Sequence, residues 1–130
     1  PFLHIADLTA EKVLVDGVKT VGLLGTKYTM EQDFYKGRLM EHGIKVLIPK
    51  DADREIVNSV IYEELCLGKI REDSRKKYQE IILDLVEQGA EGVILGCTEI
   101  GLLVKSEDAP VPLYDTTLLH TKGAVNYALK

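Results

Sequence analysis

Val93-Ile94-Leu95-Gly96-Cys97-Thr98-Glu99-Ile100-Gly101 reads as strand, turn and helix in immediate succession. An apolar run suited to a buried strand ends at Gly96. A thiol follows, then Thr98, a residue fit to cap a helix, then a short apolar stretch. Cys97 is thereby expected at the carboxyl end of a strand with its sulfur near a helix N-terminus. In an open α/β sheet that edge is where active sites form. The positive end of a helix dipole favours the thiolate, the reactive form. A structural thiol fits the same local pattern, because free cysteine is among the most buried residue types.

Outward from this stretch, strands and helices alternate. Upstream, Tyr78, Ile81, Ile82, Leu85 and Val86 fall on one face of a helix predicted from about Arg71 to Gln88 and stopped by Gly89. Asp51 to Asp53 open a helix whose apolar positions Ile56, Val57, Val60, Ile61 and Leu65 keep helical spacing until Gly68. Lys45 to Ile48 is a strand ended by Pro49. Thr29-x-x-Gln32 reads as a capping box for a helix from about Met30 to His42, with Gly43 as its stop. Thr20 to Leu24 is a buried-strand run closed by Gly25. Asp7 or Thr9 caps a helix through Val15, and Phe2 to Ile5 reads as a first strand. Downstream, Val111 to Tyr114 is a last strand and Thr117 to Leu129 a last helix. The expected fold is a single α/β domain over 1–130: three layers, a parallel sheet of about five strands, helices on both faces.

Composition narrows the class. The chain has 130 residues, enough for one core, and its net charge of −5 comes without any basic block. Nucleic acid is therefore not an expected partner. Apolar stretches are too short to span a bilayer, and no secretory leader is read at the start. Cys66 and Cys97 do not make a disulfide scaffold, so a cytoplasmic chain with reduced thiols is expected. The chain opens at Pro1 without a methionine and runs straight into a strand, which suggests a cut or processed chain.

The loops at the strand ends converge on one edge of such a sheet. Gly25-Thr26-Lys27-Tyr28-Thr29 presents two hydroxyls and several backbone N–H groups at a helix start, a combination that can hold a carboxylate or phosphate. It lacks the spacing of a P-loop, and Gly22-x-x-Gly25 is no dinucleotide fingerprint. Thr29 also fits a plain helix cap, and Thr26 a turn. His4 and His42 read as structural histidines, His120 as a residue at the site's edge. Lys69 reads as an exposed loop lysine, and Arg71, Glu72, Asp73, Arg75, Lys76 and Lys77 as a solvated helix face. Cys66, before Gly68, reads as a small buried or partly buried thiol.

Taken together, these segments resemble the cofactor-independent aspartate/glutamate racemases. Val93 to Ile100 resembles their second cysteine motif, and Val21 to Met30 the glycine-threonine segment that opens their second domain. Asp33-Phe34-Tyr35, Tyr62 to Leu65 and Pro112 to Thr116 fit the flanks. The Cys97-Thr98-Glu99 triplet is similar to the aspartate racemase branch; glutamate racemases typically carry histidine at the third place.

The resemblance implies two cysteines on opposite faces of an amino acid's α-carbon, one removing the proton and the other delivering one. It implies no pyridoxal phosphate and no metal. It assigns Cys97 as one acid/base, Thr26, Thr29, Gly96 and Thr98 as carboxylate contacts, and Glu99 as a neighbour of the thiol or the ammonium. The helix N-terminus would lower the Cys97 pKa, and an ionised Glu99 would raise it. The partner cysteine belongs to a first domain, in a Cys-Asn-Thr motif that this chain lacks, so the chain resembles the second domain alone. An acidic amino acid or dicarboxylate is the expected ligand and a homodimer the expected assembly. Two other readings use the same residues. One is a single-thiol decarboxylase or isomerase of the same superfamily. The other is a non-catalytic domain holding small carboxylates at Thr26, Thr29 and Thr98.

Overall fold

In the computed structural model, residues 5–116 are described. Helix α1 covers Ile5–Val15, strand β1 Thr20–Leu24, α2 Lys27–Glu31, α3 Asp33–Glu41, β2 Lys45–Leu47 and α4 Asp51–Glu63. A 3-10 turn at Leu65–Leu67 leads to α5, Glu72–Glu87; β3 is Gly92–Leu95, α6 Ile100–Leu103 and β4 Leu113–Asp115. The four strands are all parallel, in the order β2-β1-β3-β4.

Two-residue periodicity splits the central strands between two cores. Val21, Leu23 and Ile94 face one side, where Ala6, Ala10 and Val13 of α1 and Tyr35 and Leu39 of α3 cover them. Leu24, Val93 and Leu95 face the other, against Val57 and Ile61 of α4, Tyr78, Ile82 and Leu85 of α5 and Ile100 of α6. This is the three-layer α/β arrangement that the alternating pattern predicts.

Among the described residues the sheet has four strands, one fewer than expected for the chain. Ile5, read as the end of a first strand, instead opens α1. Ala6 and Ala10 on that helix are fully buried, and Thr9 bonds the Tyr35 hydroxyl at 3.0 Å across the interface. The rest of that segment, with His4, lies outside the described residues. So do the terminal helix from Thr117 and His120.

The helix expected from Met30 to His42 is broken. Gln32 is extended, with φ −83° and ψ 151°, and separates α2 from α3. The break has a packing reason. Met30 is buried in the core beneath α4 and α5, whereas Tyr35 is buried in the opposite one. An extended residue between them lets the chain supply both faces of the sheet. The capping assignment shifts with it: Thr26, not Thr29, is the N-cap, and its hydroxyl accepts the Thr29 N–H at 3.3 Å.

Turn glycines behave as read. Gly17, Gly43, Gly68 and Gly89 all have positive φ, where a side chain would be strained. His42 caps α3 and shares the Asp7 carboxylate with Arg38 at 2.9 and 3.0 Å. Arg71, Glu72, Asp73, Lys76 and Lys77 are exposed, as read; Arg75 is half-buried, its Nε donating to the Leu103 carbonyl at 2.9 Å.

Candidate functional site at the strand ends

Two glycines set the geometry. Gly25 follows β1 and Gly96 follows β3, and the Gly96 N–H donates to the Leu24 carbonyl at 2.7 Å. A Cβ on Gly25 would lie 3.2 Å from Thr29 Cβ; one on Gly96 would lie 3.1 Å from the Leu24 oxygen. Only side-chain-free residues let the two strand ends approach this closely with Thr29 between them.

Thr26 and Thr29 stand side by side, their hydroxyls 3.1 Å apart, both half-buried at the start of α2. Thr29, Gly96 and Thr116 line a cavity of about 200 Å³ with Tyr28, Gln32, Phe34 and Tyr35. The Thr116 hydroxyl donates to the Leu95 carbonyl at 3.1 Å, tying the end of β4 to β3. Of the residues named from the sequence, Thr29 and Gly96 line this cavity and Thr26 adjoins Thr29; the sequence reading missed the aromatic wall. Tyr28 and Phe34 carry only a weak signal, two aromatics flanking a predicted capping segment.

Cys97, Thr98 and Glu99 form a second group on the turn after β3. The half-buried Cys97 thiol donates to Glu99 Oε2 at 2.8 Å, and the exposed Thr98 hydroxyl donates to the same oxygen at 2.7 Å. Glu99, not Thr98, is the residue before α6, and it makes no side-chain cap there. Helix α6 is four residues long, so its dipole offers little to the sulfur.

The electrostatics reverse one expectation. Burial first, and the Glu99 carboxylate second, push the Cys97 thiol up to about 11. The Glu99 backbone N–H opposes this and does not overcome it. Glu99 itself is held below the ordinary carboxyl range by the bonds from Cys97 and then Thr98. The thiolate-stabilising helix terminus read from the sequence is outweighed first by burial of the sulfur and then by the Glu99 side chain that folds back onto it.

Other predicted residues lie apart. Cys66 is exposed on the Leu65–Leu67 turn, not partly buried. That turn is too short to cover its middle residue; only Leu65 points inward. Lys69 is exposed, as read. A cavity of about 300 Å³ between α4 and α5 is lined by Lys50, Asp53, Lys77, Glu80 and Asp84 with two isoleucines, and shares no residue with the strand-end group. Among the described residues no group of three or more His, Cys, Asp or Glu is placed to hold a metal, and no helix is long and apolar enough to cross a membrane.

Parallel strands, glycine-tightened strand ends, paired hydroxyls and a thiol on the next turn come together at one edge of this α/β domain. The chain belongs to the Asp/Glu/hydantoin racemase family, whose model matches residues 1–124. It superposes on a candidate Asp/Glu racemase from Yersinia pestis with a TM-score of 0.97 and 56% identity over its whole length. Against an aspartate racemase homologue from Pyrococcus horikoshii OT3 the TM-score is 0.93 and the identity 38%, again over the whole chain. It is 24% identical, over 97% of its length, to the broad specificity amino-acid racemase RacX of Bacillus subtilis. The chain spans 57% of each of the two solved structures and 54% of RacX.

Proposed function

We propose that this chain supplies one wall of an amino-acid racemase site that works without pyridoxal phosphate and takes an acidic substrate of the aspartate or glutamate type. Cys97 exchanges a proton with the α-carbon from one side. A second cysteine, on a wall formed by another domain, serves the opposite side. Thr26 and Thr29 offer hydroxyls, and Thr98 its backbone N–H, to the substrate carboxylate, while Gly96, whose own N–H is spent on the Leu24 carbonyl, leaves room for it. Holding the substrate this way fixes the α-carbon against the sulfur, which is most of what such a reaction asks of a binding wall.

The observation that carries this reading is the placing of a half-buried thiol one residue from Gly96, which packs on the Thr29 hydroxyl-bearing side chain. A reactive group and carboxylate-binding groups thus share one strand-end edge. A cytoplasmic setting, which keeps both thiols reduced, suits the chemistry, and self-association into a homodimer suits the exposed aromatic rim at Tyr28 and Phe34.

The test is inversion with deuterium uptake from D₂O, using L-aspartate and L-glutamate and the native gene product that carries this chain. Cys97→Ser is expected to abolish both, because a serine hydroxyl is far less acidic than a thiol. Racemisation within tenfold of the unmodified protein would overturn the assignment of Cys97.

A further inference from the structure

We propose that Glu99 is a positioning residue that holds Cys97 in its thiol form, making this wall the proton-donating arm of the site at rest. The inference rests on the racemase reading and adds a direction to it. Racemisation needs one thiol and one thiolate, and nothing in the family assignment says which wall carries which.

The geometry decides where the proton sits. Sγ and Glu99 Oε2 are 2.8 Å apart, a separation that requires a shared hydrogen. The same oxygen accepts the Thr98 hydroxyl at 2.7 Å. An oxygen that accepts two donors is stabilised as the anion. A protonated Oε2 would instead have to donate, and it would lose one of the two bonds. The proton therefore belongs on sulfur. Burial acts in the same sense, since a half-buried thiolate beside a carboxylate is disfavoured twice.

Groups on the neighbouring elements do not reverse this. Cys66, on the turn packed against α6, also opposes a thiolate at Cys97. Tyr78 on α5 lies within electrostatic range of the sulfur, but its hydroxyl donates to the Val57 carbonyl at 2.8 Å and is held neutral by burial, with the Glu64 carboxylate beyond it. A thiol held this way hands its hydrogen to a carbanionic α-carbon: the S–H bond breaks, the C–H bond forms, and the electron pair left on sulfur is the thiolate. The base that created the carbanion must then stand on the opposite wall. At rest the site is ready for the enantiomer whose α-hydrogen faces that other wall.

The test reads the protonation state directly and needs no racemase activity. In residues 1–130 carrying Cys66→Ser, Cys97 is the only thiol. Its alkylation by iodoacetamide is followed against pH in this background and with Glu99→Gln or Glu99→Asp added. Glu99→Gln is expected to move the half-maximal pH down by at least one unit and to speed alkylation at pH 8 about tenfold, since one pH unit is tenfold in thiolate population. Glu99→Asp, which keeps the charge, is expected to stay near the parent. A profile unchanged by Glu99→Gln, or shifted upward, overturns the proposal. Raman spectroscopy of the Cys66→Ser protein at neutral pH provides a check that leaves Glu99 intact. An S–H stretching band supports the proposal, and its absence overturns it. A racemase resting with thiolate at Cys97 would refute only the direction; a thiol at Cys97 without racemisation in the native protein would refute only the activity.

Discussion

Gly96 and Thr29 meet across the ends of β3 and β1: a Cβ on Gly96 would stand 3.4 Å from Thr29 Cγ2 and 3.1 Å from the Leu24 carbonyl oxygen. Contacts this tight are tolerated only if a neighbour moves, and one of the neighbours is backbone. Gly96→Ala is therefore expected to destabilise the domain by about 1–3 kcal/mol, the usual range for overpacking. It would also push Thr29 away from the Cys97 turn. Urea unfolding of the purified chain gives the first effect; an unchanged midpoint would show that the strand ends are looser than the glycines suggest.

The two thiols are expected to label in the opposite order from that implied by a helix-activated cysteine. Cys66 is exposed, whereas Cys97 is half-buried and raised to about 11. Thiolate population and access both favour Cys66. Limited iodoacetamide treatment at neutral pH followed by peptide mapping should find Cys66 modified at least tenfold faster. Faster labelling of Cys97 would mean that Glu99 swings away from the sulfur in solution.

Alkaline pH is expected to weaken the fold through its buried phenols. Burial raises Tyr35 to about 12, against an ordinary value near 10, and the Thr9 hydroxyl bond offsets this only in part. In the unfolded chain the phenol loses its proton near pH 10; in the fold it keeps it to about 12. Stability from this group is thus complete below pH 10 and is lost as pH rises toward 12. At pH 11 the loss from Tyr35 is about 1.4 kcal/mol, one pKa unit's worth. Tyr78 and Tyr114 are raised as well, so their losses add in the same window. Denaturant titrations at pH 8 and 11 should show the fall, and Tyr35→Phe should make it shallower. An equal slope in that variant would place the alkaline sensitivity elsewhere.

The fold was legible because its signals are local. Strand runs such as Val21 to Leu24 and Val93 to Leu95, the helical spacing in α4 and α5 and the stop glycines each declare themselves within a few residues. The errors arose where distant contacts decide. Gln32 breaks a helix because Met30 and Tyr35 are buried on opposite faces of the sheet, which no local window reveals. The grouping of Thr26, Thr29 and Gly96 could be reached from strand-end logic, and the cysteine's position likewise. Its protonation could not, because that depends on the rotamer of Glu99 and on burial. The aromatic wall of Tyr28, Phe34 and Tyr35 was hidden for a related reason: it forms only because the break at Gln32 sets α3 against the end of α2.

Residues 1–130 on their own are expected not to racemise aspartate or glutamate. Inversion needs a donor and an acceptor on opposite faces of one carbon. This chain places Cys97 at the strand ends, and its other thiol, Cys66, sits on the turn packed against α6 and so belongs to the same wall. The facing side of the cavity is open at Tyr28 and Phe34, which are 71% and 72% exposed. An aromatic rim of that kind favours association with a covering surface. Circular dichroism of L-aspartate and L-glutamate incubated with the purified chain should show no loss of optical activity above background, and a measurable loss would refute the expectation. Light scattering should show self-association that Tyr28→Ser with Phe34→Ser reduces. A strictly monomeric parent at high concentration would refute the association and leave the catalytic expectation standing, because the missing acid/base partner does not depend on what covers the rim.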